Sequence, residues 1–402
     1  MIAKPAVGHL LRRYRSRTET FVGAQIASLD RYRPLILCQQ QTEVGYEPGV
    51  PLRAATAQLA GPALWLERLA YALSRRLTSA AADALAESAR QERVRVLHAH
   101  YLVDARYFLG LMRRLSVPTV VSAYGYDVSS FPRRLNGLGR RYLQPVWRNV
   151  DLVLAMSEDM LRDLAGLGCP PELVRVHYHG IPVARFICPQ RRYIQRELLN
   201  VLCCGTLEIK KGQHLVLEAL HRLERSGGQL PRFHVTLVGD GPLRPRLEQM
   251  VRDFGWQERV TFAGHVAHHE PRLVAEYHDA DIFALPSMTV RSDKEGIPGT
   301  IAEAMAAGLP VLSSRHAGIP ELVEDGQSGL LVDEADVDTL AASFARLLRE
   351  PALRERLGVA GLARVRLVGD LPKQTRTLEG IYDEVLHLPS ARVEPKAEHV
   401  RH

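Results

Sequence analysis

Glu295 and Glu303 stand eight positions apart across Gly296-Ile297-Pro298-Gly299, where a turn gives way to a helical run and then to the apolar stretch LPVLSS. Carboxylates accept strongly from hydroxyls, and two at this spacing can reach two diols of one elongated ligand, such as a sugar joined to a ribose. Glu303 has a competing use. It follows Thr300 by three positions, the spacing of a capping box with Thr300 as N-cap. Glu295 has no such use, because the glycines and Pro298 beside it make a turn that exposes N–H groups. Upstream, Lys210 and Lys211 precede a helix that opens after Gly212 in GTLEIKKGQH, where free N–H groups and an ammonium suit a phosphate. A second strand–turn–helix run, VGDGPLRPRLEQM, spaces Gly239 and Gly241 so that the backbone turns tightly or lies against a ligand. It is not GxGxxG, and no acidic residue follows at the distance that favours NAD.

In the first half, His98 and His100 share one face of a strand end in VLHAHYLVDARYF. Their spacing suits a metal, but no third ligand is placed by the sequence, so no metal is expected. In VVSAYGYDVSS, Tyr124 can donate to a hydroxyl, while Asp127 either orients a ligand or caps its own turn. Arg12, Arg13, Arg15 and Arg17 crowd a loop before a helix whose apolar face carries Val22, Ile26 and Leu29, with Thr18 or Thr20 as cap. The first strand is expected over about residues 2–7.

These residues need a scaffold, and the chain has length for two hydrophobic cores: 402 residues, 46% apolar. Strand-like runs fall at 33–38, 93–100, 117–125, 151–157 and 173–180, then at 198–205, 233–239, 259–264, 280–286, 309–314 and 329–333. Helical periodicity separates them, which implies α/β domains with parallel sheets covered on both faces. Two Rossmann-like domains facing across a cleft are expected, at 1–182 and 183–371, with a helix at 372–388 packing back on the first and a frayed tail at 389–402. Residues 40–92, rich in Ala and Leu, are expected to be helical.

Through residue 182 there are 24 Lys+Arg against 15 Asp+Glu, a balance of +9, and the remainder balances at −2. A basic first half suits an anionic partner such as phosphate or a membrane surface. Aromatics at 6% give too few stacking platforms for nucleic acid. No apolar run approaches a membrane span, and the N-terminal stretch lacks the long apolar core of a signal peptide. Five cysteines without a CxxC read as buried thiols in a reducing cytoplasm, with Cys203 and Cys204 on opposite faces of a strand.

The run Glu295-GIPGTIA-Glu303, followed by AMAAGLPVLSSRHAGIPELVEDGQSGLLV, resembles the E-x7-E motif of retaining GT-B glycosyltransferases of glycosyltransferase family 4. GTLEIKKG, LVGDGPLRPRLE, RVTFAGHV and HGIPVARF extend the resemblance over nearly the whole chain. It implies a GT-B fold with Glu295 on the donor sugar, Glu303 on the ribose, and the backbone of Gly296, Ile297, Pro298, Gly299 and Thr300 along sugar and diphosphate. Lys211 would neutralise the diphosphate, Gly241 would lie near it, and the base would be met around Gly264 to Val266. Thr206 stands where the family has arginine, so either Arg244 or another basic group reaches in, or donor binding weakens. Tyr124 stands where the family has histidine, with His100 as an orienting group and Asp127 as a nearby carboxylate.

The resemblance further implies a nucleotide-sugar donor without cofactor or metal, a UDP-sugar before GDP-mannose, and a glycan or lipid-linked acceptor. The RSRTETF and YGYD runs are similar to members that assemble cell-surface polysaccharide or lipopolysaccharide, in the cytoplasm and peripherally on the inner face of the plasma membrane. A non-catalytic nucleotide-sugar-binding partner, an epimerase and a phosphorylase are the other readings.

Overall fold

The computed structural model describes residues 4–14, 20–41, 49–227 and 230–387. Arg15, Arg17, Thr18 and the tail from 388 onward lie outside them. The chain divides into two units, Met1–His177 with Thr375–His402, and Tyr178–Gln374.

In the first unit the strands are β1 (Ala6–Tyr14), β2 (Arg33–Gln41), β3 (Leu52–Ala54), β4 (Val94–His100), β5 (Thr119–Ser122), β6 (Leu152–Ala155) and β7 (Val174–Val176). They pair in the order β3-β2-β1-β4-β5-β6-β7, parallel throughout. The second unit holds β8 (Leu198–Cys204), β9 (Arg232–Val238), β10 (Val260–Gly264), β11 (Ile282–Leu285), β12 (Val311–Ser314) and β13 (Leu330–Val332), also parallel, in the order β10-β9-β8-β11-β12-β13. Each order reverses direction once, between β1 and β4 and between β8 and β11. Such switch points open a crevice at the carboxyl ends of the flanking strands, where doubly wound folds bind ligands.

Both faces of each sheet are covered, so alternate residues of one strand enter different cores. Leu199, Val201 and Cys203 join one cluster of the second unit, and Leu202 and Cys204 the other. Burial pushes the Cys204 thiol up to about 12. Cys188 departs from the expectation of buried thiols, being only half-buried. In the first unit Leu378, Ile381, Tyr382 and Val385 of the helix Leu371–His387 pack on Val7, Val96, Val120, Leu152 and Leu154.

Two expectations need correction. β1 runs to Tyr14 rather than ending near residue 7, so Arg12 and Arg13 belong to a strand and not to a basic loop. Arg12 is held there by a buried acid: its N–H donates to Asp104 Oδ2 at 2.8 Å and its guanidinium pairs with Oδ1 of the same carboxylate. The described residues of 40–92 contain three helices, Ala55–Gln58, Gly61–Ser74 and Ser79–Gln91, but also β3 at the sheet edge.

Candidate functional site

The loops after β8 and β11, the two strands at the second unit's switch point, carry the residues singled out around Lys211 and Glu295. Lys211 ends a short turn, Ile209–Lys211, before the helix Gln213–Arg225, and its Nζ donates to Glu295 Oε2 at 2.8 Å. Both side chains are about seven-eighths buried, at 14% and 13% exposure. Lys210 Nζ lies 3.4 Å from Glu295 Oε1 and 3.0 Å from Asp293 Oδ2. Burial works to raise the Glu295 carboxyl, but the Lys211 and Lys210 ammoniums outweigh it and hold it at about 2, so Glu295 is an anion at any physiological pH. Gly212 permits this turn: at φ +74°, a Cβ there would sit 2.0 Å from the Pro286 carbonyl oxygen.

Glu295 is fixed through its backbone as well, by residues the motif did not include. Its N–H donates to His316 Nε2 at 3.1 Å, and His316 Nδ1 lies 2.6 Å from Glu334 Oε1. An N–H can only donate, so Nε2 is the acceptor, and the neutral imidazole carries its proton on Nδ1 toward Glu334. Glu334 in turn accepts from the Thr289 N–H at 2.7 Å. This chain of partners orients the Glu295 loop much as an outer group orients a metal ligand. His316 follows Glu303 by 13 positions in SSRHAGIP. No spacing rule singles it out.

The helix Gly299–Ala306 has Pro298 as its N-cap residue with no side-chain cap bond, which corrects the capping-box expectation for Thr300 and Glu303. Glu303 points elsewhere. Its Oε2 accepts from Tyr277 Oη at 2.6 Å and its Oε1 lies 2.9 Å from His268 Nε2. Each carboxylate oxygen has a second lone pair, so the residue keeps acceptor capacity for a ligand hydroxyl. Thr300 Oγ1 is buried with no hydrogen bond among the described residues, the condition of a group that awaits a partner. Glu303→Ala is expected to lower the unfolding free energy by about 1–3 kcal/mol, because Tyr277 Oη loses its acceptor inside the core. Urea denaturation would show it. A change within the scatter of surface mutants would mean that the cluster does not hold the site.

Around these two glutamates the remaining motif residues are placed as follows. Gly239 and Gly241 press on the protein itself rather than standing open, since a Cβ would lie 2.0 Å from the Gly205 oxygen and 2.5 Å from the Leu207 oxygen respectively. They therefore clamp the loop after β8. Thr206 in that loop accepts at its carbonyl from Gln213 Nε2 at 3.0 Å. Arg244 opens the helix Arg244–Asp253 and pairs with Glu248 at 2.8 Å on the same helix. Gly296 lies in the turn between Glu295 and the helix. Ile297 and Gly299 line, with Tyr178 and His179, a cavity of about 20 Å³. Burial lowers His179 to about 4, against the pull of Glu303. Val266 is buried after Gly264, whose carbonyl accepts from the Gly239 N–H at 2.8 Å.

In the first unit, His98 and His100 do share a face, with ring centroids 4.4 Å apart. A third imidazole joins them, because β1 pairs with β4 in a register that sets His9 beside His98. His9, His98 and His100 each offer a nitrogen within 4.8 Å of the others, so the expectation that nothing supplies a third ligand is corrected. The donor set is nonetheless engaged. His98 has Tyr382 Oη at 2.6 Å on Nδ1 and Ser122 Oγ at 2.8 Å on Nε2, and His100 has Tyr124 Oη at 2.8 Å and His9 Nδ1 at 3.1 Å. A cation would have to displace hydroxyls from the His98 nitrogens, which lie in stacked rather than converging rings. The cluster is a hydrogen-bonded chain ending at Tyr124. Asp127 takes the turn-holding role, accepting from the Leu102 N–H at 2.7 Å and the Tyr124 N–H at 3.0 Å. Burial pushes it up to about 6 despite those donors.

Comparison with known proteins follows from this geometry. Residues 191–364 match the profile described as glycosyl transferases group 1, and residues 40–185 match glycosyltransferase family 4. WcaL of Salmonella typhimurium, provisionally named a colanic acid biosynthesis glycosyltransferase, is 36% identical over 229 residues, 56% of this chain and 54% of that protein. The chain thus spans about half the length of such relatives. A glycogen synthase of Mycobacterium tuberculosis is 32% identical over 295 residues, 71% of this chain and 67% of that one. Among solved structures, Anabaena HepE in complex with UDP-glucose superposes with a TM-score of 0.74 at 18% identity, covering 94% of this chain and 99% of that one.

Proposed function

Because the chain belongs to the glycosyl transferases of group 1, with the family 4 segment before them, we propose that it is a retaining glycosyltransferase. It moves a hexosyl or N-acetylhexosaminyl group from a nucleotide-sugar, a UDP-sugar in first place, to a hydroxyl of a glycan or lipid-linked acceptor in cell-surface polysaccharide synthesis. The observation that carries this reading is the buried Lys211–Glu295 pair at the switch point, in the turn that leads into the helix Gly299–Ala306, whose N-cap residue Pro298 makes no side-chain cap bond.

In this reading the diphosphate takes Lys211 as its counter-ion and lies along the turn from Gly296 to Thr300. Glu295, released from Lys211, accepts from hydroxyls of the donor sugar. Glu303, with its spare lone pairs, takes the ribose hydroxyls. The bond from the anomeric carbon to the diphosphate oxygen breaks, the bond to the acceptor oxygen forms on the same face, and the acceptor proton passes to the departing phosphate. Such a step asks the protein for position and fixed charge rather than a nucleophile. Tyr124, tied to His100, supplies a hydroxyl on the acceptor unit. The UDP-glucose of the HepE complex supports a uridine donor, and the provisional name of WcaL supports polysaccharide assembly.

Among the described residues no helix is long and apolar enough to cross a membrane. We place the enzyme in the cytoplasm, attached peripherally to the inner face of the membrane that presents its acceptor. A melting-shift screen of UDP-glucose, UDP-N-acetylglucosamine and GDP-mannose tests the donor reading: a ligand at 100 times its Kd should add about 2.7 kcal/mol. A shift with a UDP-sugar that persists in EDTA is the expected result. No shift with any nucleotide-sugar overturns it, and binding without transfer to any acceptor favours a non-catalytic partner, a role that Thr206 in place of arginine would suit.

A further inference from the structure

The helix Gly61–Ser74 packs Tyr71 on the core of the first unit but turns a second set of apolar side chains outward. Trp65, Leu66, Leu69 and Leu73 are 62%, 51%, 38% and 77% exposed. At 3.6 residues per turn these four lie within an arc of about 100°, so they form one outward stripe rather than scattered surface leucines. The helix's acid is on the inward side. Glu67 is fully buried and accepts from the Thr78 N–H, the Thr78 hydroxyl and the Tyr107 hydroxyl at 2.9, 2.6 and 2.6 Å. The outward stripe therefore carries no negative charge, and its flank and end present exposed Arg68, Arg75 and Arg76. A contiguous apolar stripe marks an interaction surface, whereas single exposed apolar residues do not.

We propose that this helix is the membrane-docking element, lying flat in the headgroup layer of an anionic bilayer with Trp65 and the three leucines buried among acyl chains. This rests on the peripheral attachment proposed above and names the surface responsible. The occupant is a lipid surface because the arginines complement anionic headgroups, and a tryptophan with leucines on one face and arginines beside it is the composition of interfacial helices. A second copy of the chain is disfavoured by the same charges, since a two-fold contact through this stripe would bring the arginines of both copies together. The sequence pointed instead to the arginines from Arg12 on, but Arg12 is spent on Asp104.

The test uses the full chain with vesicles of phosphatidylcholine alone, or of equal parts phosphatidylcholine and phosphatidylglycerol carrying brominated acyl chains. Trp147 and Trp256 are 9% and 2% exposed, so quenching by bromine reports Trp65. Quenching on the anionic vesicles at low salt, weakened as salt rises, is the expected result. Trp65→Ser with Leu69→Ser should weaken co-sedimentation about tenfold or more while leaving the nucleotide-sugar melting shift unchanged. Arg68→Glu with Arg76→Glu, which spares the apolar stripe, should lower binding to anionic vesicles specifically. Equal vesicle binding by wild type and the Ser variant overturns this inference and leaves peripheral attachment to another surface. No vesicle binding by wild type overturns both. A wild-type dimer that the Ser variant converts to monomer, without vesicle binding, assigns the stripe to self-association instead.

Discussion

Lys211→Ala is expected to lower the rate of nucleoside diphosphate release from the donor by about 10²–10³-fold, the loss typical of removing one preorganised charge at a developing anion. Lys211 is the partner of Glu295, and a second ammonium, Lys210, lies 3.4 Å from the same carboxylate. Donor binding exchanges one anionic partner of Lys211 for another, so the charge is already in place when the sugar departs. Lys210 cannot substitute at full strength, because Asp293 and Glu208 also hold it. Glu295→Gln separates the two roles. It keeps hydrogen bonding to the sugar but frees Lys211, so the defect should be smaller than in Glu295→Ala. Product release is followed with a coupled diphosphate assay, with a melting curve for each variant to separate folding from chemistry. Strict dependence of wild type on added Mg²⁺, together with an active Lys211→Ala, would falsify the assignment.

How this pair arises shows what a sequence can and cannot reveal. The strand runs at 198–205 and 280–286 were visible because short apolar β-rich segments alternated with helical periodicity, and each contains a strand of the sheet. That the loops after these two strands meet follows from the strand order, which no local pattern encodes. Lys211 and Glu295 are 84 positions apart, and only the adjacency of β8 and β11 brings them to 2.8 Å. His316 and Glu334 were missed for the same reason: each is an ordinary polar residue until Glu295's N–H lies beside it. The error at β1 was of another kind. Composition points the arginines to a loop, whereas Arg12 is tolerated in a strand because Asp104, in the helix Leu102–Tyr107 that follows the neighbouring β4, receives it. β3 is three residues long, too short to show an alternation.

The His9 cluster, hidden from sequence by the register of β1 on β4, makes a prediction about acid. Burial lowers His9 from 6.5 to about 3. His98 and His100 are lowered as well, by burial first and then by their neighbours in the cluster. Below pH 6.5 the unfolded imidazoles take protons that the folded ones refuse, so their stabilising contribution is complete above 6.5 and is lost as pH falls toward the folded values. Each such histidine contributes a slope of about 1.4 kcal/mol per pH unit. Asp127 works in the opposite sense. Raised from 3.8 to about 6, it holds a proton in the folded state that it loses in the unfolded one, so its contribution is present below 3.8 and lost as pH rises through 6. Asp104 acts in the same direction as Asp127, raised by burial against the pull of Arg12. The three imidazoles of the cluster, joined by His179 and His214, which burial also lowers to about 4, outnumber the two raised carboxyls and leave a net loss on acidification. Urea midpoints at pH 7.5, 6 and 5, followed by tryptophan emission, should therefore fall steadily. His9→Phe keeps an aromatic ring in the core and gives up one hydrogen bond, to His100, since His9 Nε2 has no partner among the described residues. It should be slightly less stable at pH 7.5 and visibly less sensitive to acid. A variant whose midpoints track wild type at every pH would show that His9 does not carry the linkage, and a wild type equally stable at pH 7.5 and 5 would show that the cluster is protonated without cost.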